Sequence, residues 1–216
     1  MARLSRIHLP LGNAALPLWR LAAAAGALLL AYLARWGDAL RLPFINDDFL
    51  FLDKARTAPL PALWGLDKLA FHWWRPWSRE THYWAVQHLA GADPAAFHAV
   101  NTALWIAVLG TFWALVRRSA GGRAAAWALA AAAAMAAWGL PLLWVAGVQD
   151  LWMVFASLLA VHAWASDRRA LAAVAYAVAL MSKETAAFLP ALLIAWEVRI
   201  ARQPWRGAFR RLVPLL

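Results

Sequence analysis

The sequence predicts an all-α, polytopic membrane protein with about six transmembrane helices, on three observations. Of 216 residues, 64% are hydrophobic and 15% charged, far from the balance of a water-soluble domain. The apolar residues gather in six separate stretches, and the charges between those stretches segregate by sign.

The first stretch, 16–34, follows Arg3 and Arg6 and has about 19 apolar residues, longer than the h-region of a cleaved signal peptide, so it reads as an uncleaved anchor. Stretches 94–116 and 124–144 are long enough to cross a bilayer core. The alanine-rich part of the latter, 124–137, predicts close approach of a neighbouring helix. Stretch 151–165 is marginal. Stretches 170–181 and 186–198 reach only about 20 Å against the roughly 30 Å required. They are retained because flanking residues extend helices and bilayers thin locally. Charge parity also requires an even number of crossings between Arg168/Arg169 and the Arg199 to Arg211 cluster, which makes the last two a full or a re-entrant hairpin.

With the N-terminus in the cytoplasm, Arg3, Arg6, Arg20, Arg117, Arg118, Arg123, Arg168, Arg169, Arg199, Arg202, Arg206, Arg210 and Arg211 fall inside. Of the acids, only Asp167 and Glu197 join them; Asp38, Asp47, Asp48, Asp53, Asp67, Glu80, Asp93, Asp150 and Glu184 fall outside. This pattern suits a multi-pass protein of a bacterial cytoplasmic membrane. The net charge of +10 therefore reads as a topology signal and not as a nucleic-acid surface, because the cations lie between apolar runs. The chain has no cysteine, which excludes disulfides, thiolate metal sites and cysteine nucleophiles.

The extracytoplasmic loop 35–93 holds most of the polar chemistry. Asp47 and Asp48 lie just beyond the anchor, followed by the apolar run Phe49 to Leu52, expected to form a short surface helix. Adjacent carboxylates suit proton transfer, since crowding raises the pKa of one; the alternative is that they cap the helix. Trp73, Trp74 and Trp77 fit either interfacial anchors or a stacking platform for a sugar, and Arg75 either a phosphate clamp or a surface cation. Ser78 is expected to cap a second surface helix ending near Gly91, and Asp93-Pro94 to start the second membrane helix. His98 and Asn101, three apart, share one face of that helix. Lys183 and Glu184 sit between two apolar stretches, where charge is costly unless paired or facing a wet cavity. Either they pair with each other, or Lys183 meets an anionic group while Glu184 orients it. Asp150 opens a helix at the same surface. His72, His82 and His88 lack metal-ligand spacing, and His162 reads as a packed histidine.

In order, an N-terminal anchor, Asn46-Asp47-Asp48-Phe49, Trp74-Arg75-Pro76, Phe97-His98-Ala99-Val100-Asn101, Asp150 and Ser182-Lys183-Glu184-Thr185 resemble the GT-C glycosyltransferase superfamily. The nearest branch is that using polyprenyl- or dolichyl-phosphate sugars, which includes the protein O-mannosyltransferases and bacterial lipopolysaccharide sugar transferases. The resemblance implies inverting transfer of a sugar from a polyprenyl-phosphate carrier to a hydroxyl on a glycan, lipid or protein acceptor at the outer membrane face. It implies that Asp47 or Asp48 acts as general base or helps to hold a divalent metal. Trp74, Arg75, His98, Asn101, Asp150, Lys183 and Glu184 would contact substrate.

Two departures stand out. Many relatives carry Gly-Arg shortly before the acid of the fourth helix, where this chain has Gly147-Val148-Gln149. Relatives are also longer, so this reads as the N-terminal part of such an enzyme, with a further membrane segment expected from Pro214-Leu215-Leu216. The alternative class is a non-catalytic membrane protein, such as a lipid-carrier transporter or assembly subunit.

Overall fold

The computed structural model describes residues 26–27, 30–66 and 73–213. Most of the predicted anchor 16–34, together with Asp67, His72 and the segment expected from Pro214 onward, lies outside the described residues. Among those residues every regular element is helical. The helices run between two poles, one holding Asp47, Asp150 and Glu184 and the other holding the arginine clusters.

Residues 30–36 are helical and lead into a 3-10 turn, Gly37–Arg41. Helix α1, Asp47–Thr57, buries Phe51, Leu52 and Ala55 and leaves Phe49 and Leu50 outside. The run Phe49 to Leu52 is thus split between core and exterior rather than lying wholly on a surface. Residues Pro76–Thr81 form a wide π turn that continues into α2, His82–Ala90, which Gly91 ends at φ 72°. Ser78 does not cap this helix. Its hydroxyl is buried and donates to the Ser182 carbonyl at 2.7 Å, because the wide turn carries Ser78, Arg79 and Glu80 inward in succession.

Helix α3, Pro94–Ala120, starts as the sequence indicates, with the Asp93 carboxylate accepting from Ala95 N–H at 3.0 Å and proline at N1. Its 27 residues span about 40 Å, and Gly121 ends it at φ 85°. The predicted single segment 124–144 is broken into α4, Gly122–Ala133, a 3-10 turn at Ala136–Trp138 and α5, Gly139–Leu143, with a bend of 52°. Pro141 is compatible only with the first turn of a helix, so the chain must restart just before it. A 3-10 turn, Val145–Gly147, feeds α6, Val148–Ala165. Then follow α7, Arg169–Ser182, the 3-10 turn Glu184–Phe188, α8, Leu189–Arg199, and α9, Trp205–Leu212.

Two helices, 94–120 and 145–165, are long and apolar enough to cross a membrane, and the bent pair 122–143 makes a third if it counts as one span. The shorter α7 and α8 still run from pole to pole. Arg118, at the far end of α3, donates to Ala165 O at 2.6 Å, at the end of α6. Lys183, after α7, meets Asp150 in the first turn of α6. Glu197, near the end of α8, returns to Trp164 of α6.

Helices α6 and α7 pack through small residues, with Ala156, Ala160 and Ala163 facing the seam from one side and Ala172, Ala175 and Ala179 from the other. The alanine-rich segment expected to allow close approach does pack against a neighbour as well: α4 lies along α3, with Ala125 fully buried and Ala132 and Ala133 against the aromatic core. Nearer the acidic pole the core is aromatic, with the Tyr83 ring 5.3 Å from Phe51 and 5.2 Å from Phe97 near the starts of α1, α2 and α3.

Candidate functional site

The site begins at the first turn of α1, where Asn46 adopts φ 47° and turns the chain so that two consecutive acids face different environments. Asp48 points into the core and is fully buried. It accepts from Ile45 N–H at 2.9 Å, Tyr83 Oη at 2.7 Å and Ala146 N–H at 2.9 Å, tying α1 to α2 and to the turn before α6. Burial raises its pKa, and the three donors partly offset that effect. Burial and the Asp48 carboxylate also raise the Tyr83 phenol well above its ordinary range, so Tyr83 stays a donor.

Asp47 is half-buried and makes no hydrogen bond or ion pair among the described residues. It lies close enough to Arg79 and Tyr83 to favour their protonated forms. Crowding of the two acids therefore does not govern this pair, since the shift at Asp48 comes from burial and not from its neighbour.

Behind Asp47 lies a buried charge cluster that the motifs did not reveal. Arg79 donates to Glu80 at 2.9 Å and to the Trp73 carbonyl at 2.7 Å and stacks on Phe51; Lys54 bridges to Glu80 at 3.0 Å. Burial lowers the Arg79 pKa, against the stabilising Glu80 charge. The available signal was Arg79-Glu80 beside Pro76. The inward turn of three consecutive polar residues depends on π geometry, which residue spacing does not announce. His82 is buried beside this cluster; burial pulls its pKa down to about 4, so it is neutral at ordinary pH.

A second row of charges adjoins the first. Arg75 grips Glu184 with Nε at 3.0 Å and Nη2 at 2.7 Å, donates to Gln149 at 2.7 Å, and lies over the Trp73 ring. Burial works against Glu184 ionisation, but its own backbone N–H and the Arg75 guanidinium prevail and lower its pKa. Lys183 pairs with Asp150 at 2.6 Å. Lys183 and Glu184 thus do not pair with each other. The extended backbone of Lys183, with φ −161°, points the two side chains to different partners. Gln149, just before Asp150, accepts from Arg75 at 2.7 Å.

Of the remaining candidates, Trp74 is exposed at the rim and donates to the Trp64 carbonyl at 3.2 Å. His98 and Asn101 do share a helix face, but both are buried. His98 meets the Leu142 carbonyl, and Asn101 donates to the carbonyls of Pro141 and Val145, each at 3.1 Å. They hold the turn that presents Ala146 N–H to Asp48, which makes them supports for the site.

The arrangement leaves Asp47, unpaired among the described residues, near Arg79, with the Arg75–Glu184 and Lys183–Asp150 pairs at the same pole. No group of three His, Asp or Glu side chains converges among the described residues. No step below passes through a metal. Compared with known proteins, the chain matches no family model, no curated protein and no solved structure.

Proposed function

We propose that this protein is a membrane-embedded, GT-C-like transferase that moves a sugar from a polyprenyl-phosphate carrier to a hydroxyl acceptor. The observation that carries the reading is Asp47, a half-buried carboxylate with no partner among the described residues, standing next to Arg79 at the pole where Arg75 and Lys183 also lie. In this reading the acceptor oxygen attacks the anomeric carbon from the face opposite the carrier, forming the new C–O bond. The bond from that carbon to the phosphate oxygen breaks with its electron pair, and the acceptor proton passes to Asp47. Arg75 and Lys183 stabilise the phosphate as its charge grows. Both already hold carboxylates, so a phosphate must join or displace Glu184 and Asp150. The exposed Trp73 and Trp74 rings suit the apolar faces of sugar and lipid.

The separation of charge between the poles supports an orientation with the arginine-rich pole and N-terminus in the cytoplasm and Asp47 outside, in a bacterial cytoplasmic membrane. Six crossings follow if the anchor and the shorter α7 and α8 each span, by local thinning of the bilayer. The test is transfer from radiolabelled polyprenyl-phosphate sugars in membranes containing the full chain. Asp47→Asn is expected to reduce transfer by about 10²-fold or more, the usual contribution of a general base. Wild-type-like transfer by that variant would remove Asp47 from the reaction.

A second reading rests on the paired state of Arg75 and Lys183, which leaves neither cation free. A lipid-carrier transporter or assembly subunit needs no catalytic base. Carrier movement between leaflets without sugar transfer, unaffected by Asp47→Asn, would establish it.

A further inference from the structure

Helix α9 presents a surface that neither the core nor the proposed transfer site uses. Its buried side is narrow, with Ala208 and Leu212 facing inward and Leu212 joining the cluster of Trp164, Leu189 and Leu193. Arg211 reaches Glu197 at 2.9 Å and Asp167 at 3.4 Å. Because its seventh residue still meets those two acids, the helix runs along the basic pole and does not return into the bundle. Among the described residues nothing covers the face carrying Trp205, Arg206, Phe209 and Arg210, all of which are exposed. Trp205, Phe209 and Val213 follow at four-residue spacing and are 62%, 48% and 57% exposed, forming one apolar stripe. Arg206 and Arg210 form the adjoining stripe. Both are exposed, and neither makes an ion pair or hydrogen bond among the described residues. Arg199 and Arg202, before the helix, are in the same state.

We infer that α9 is an interfacial helix that binds the anionic phospholipid surface of the leaflet at the basic pole, with its apolar stripe among the acyl chains and Arg206 and Arg210 on headgroup phosphates. This inference rests on the membrane reading above but not on sugar transfer. Charge complementarity selects the occupant, because Arg206 and Arg210, unpaired among the described residues, adjoin the stripe, exposed Arg199 and Arg202 lie shortly before the helix, and α9 itself carries no acid. The pairing of Arg211 with Glu197 and Asp167 is what sets the roll of the helix. It uses up the one cation on the inward side and turns the other two outward with the aromatic residues.

The absence of native cysteine permits a direct test. Val213→Cys, labelled with an environment-sensitive fluorophore, is reconstituted as the full chain in nanodiscs of neutral lipid alone or with one-third anionic phosphatidylglycerol. The expected result is a blue shift and several-fold protection from an aqueous quencher in the anionic discs. Arg206→Gln/Arg210→Gln should abolish that difference, and Arg206→Lys/Arg210→Lys should retain it, since a headgroup surface needs charge and not a fork. Equal protection in both lipids, equal exposure in both, or the same shift produced by inorganic phosphate in neutral discs would each overturn the inference. Sugar transfer can fail without touching this result, because recovery of the chain in nanodiscs reports insertion separately.

Discussion

Asp47 and Asp48 are adjacent, yet their roles diverge because successive helical residues point about 100° apart. Asp48 is committed to three donors, so its loss leaves buried polar groups without an acceptor. Asp48→Ala is expected to cost about 2–4 kcal/mol in chemical unfolding in detergent, whereas Asp47→Asn should leave stability unchanged. Equal losses would show that Asp47 is structural. Glu184 carries a pH signature. Its folded pKa is lowered, so the stability it contributes is fully present above its ordinary value of 4.5 and is lost as pH falls through the folded value. The thermal stability gap between wild type and Glu184→Gln should therefore be constant above about pH 5 and close in acid. A gap that persists in strong acid would mean that the Arg75 contact is not what Glu184 contributes. Asp48 has the opposite sign: its raised pKa means that ionisation works against the fold.

At the scale of elements, the turn from α5 into α6 is the joint on which the site depends. A Cβ on Gly147 would lie 2.5 Å from Pro141 Cα and 2.8 Å from Leu140 O, both backbone atoms with no freedom to move aside. Gly147→Ala should therefore destabilise by about 1–3 kcal/mol, the range for overpacking. It should also displace Ala146 N–H from Asp48, so that under the proposed function transfer falls together with stability. A neutral outcome in thermal unfolding would show that α5 and α6 slide apart easily. The alanine seam between α6 and α7 follows the same logic of close backbone approach.

At the scale of the molecule, the poles are separated by α3, whose first and last turns are about 40 Å apart. In intact cells a membrane-impermeant maleimide is expected to label Ala92→Cys, just before α3, and to reach Ala120→Cys, its last residue, only after permeabilisation. The reverse pattern would invert the orientation, and labelling of both from one side would show that α3 does not cross.

The sequence by itself determined the helical class, the cap at Asp93, the stop at Gly91, the long apolar helix from Pro94 and the sorting of charge to opposite ends. Each of these is local or compositional: a proline at N1, a glycine past a helix end, a run of apolar residues. The helix at 145–165, by contrast, which reads as marginal, is long and apolar enough to span, and the stretch 124–144 is broken. Part of the site was legible too, since Asp47, Arg75, Asp150, Lys183 and Glu184 do gather at one pole. What only the tertiary structure decided was who pairs with whom. Arg75 meets Glu184 across 109 positions and Lys183 meets Asp150 across 33; the first contact is set by the Pro76–Thr81 turn packing on the end of α7 and the second by the packing of α6 against α7. The burial of Arg79 and Glu80 came from a π turn, and the break at 134–138 from the demand that Pro141 lie in a first turn. The division between Asp47 and Asp48 was likewise tertiary, because the backbone N–H that claims Asp48 belongs to Ala146, 98 residues away, and nothing in the dipeptide encodes which acid it will reach.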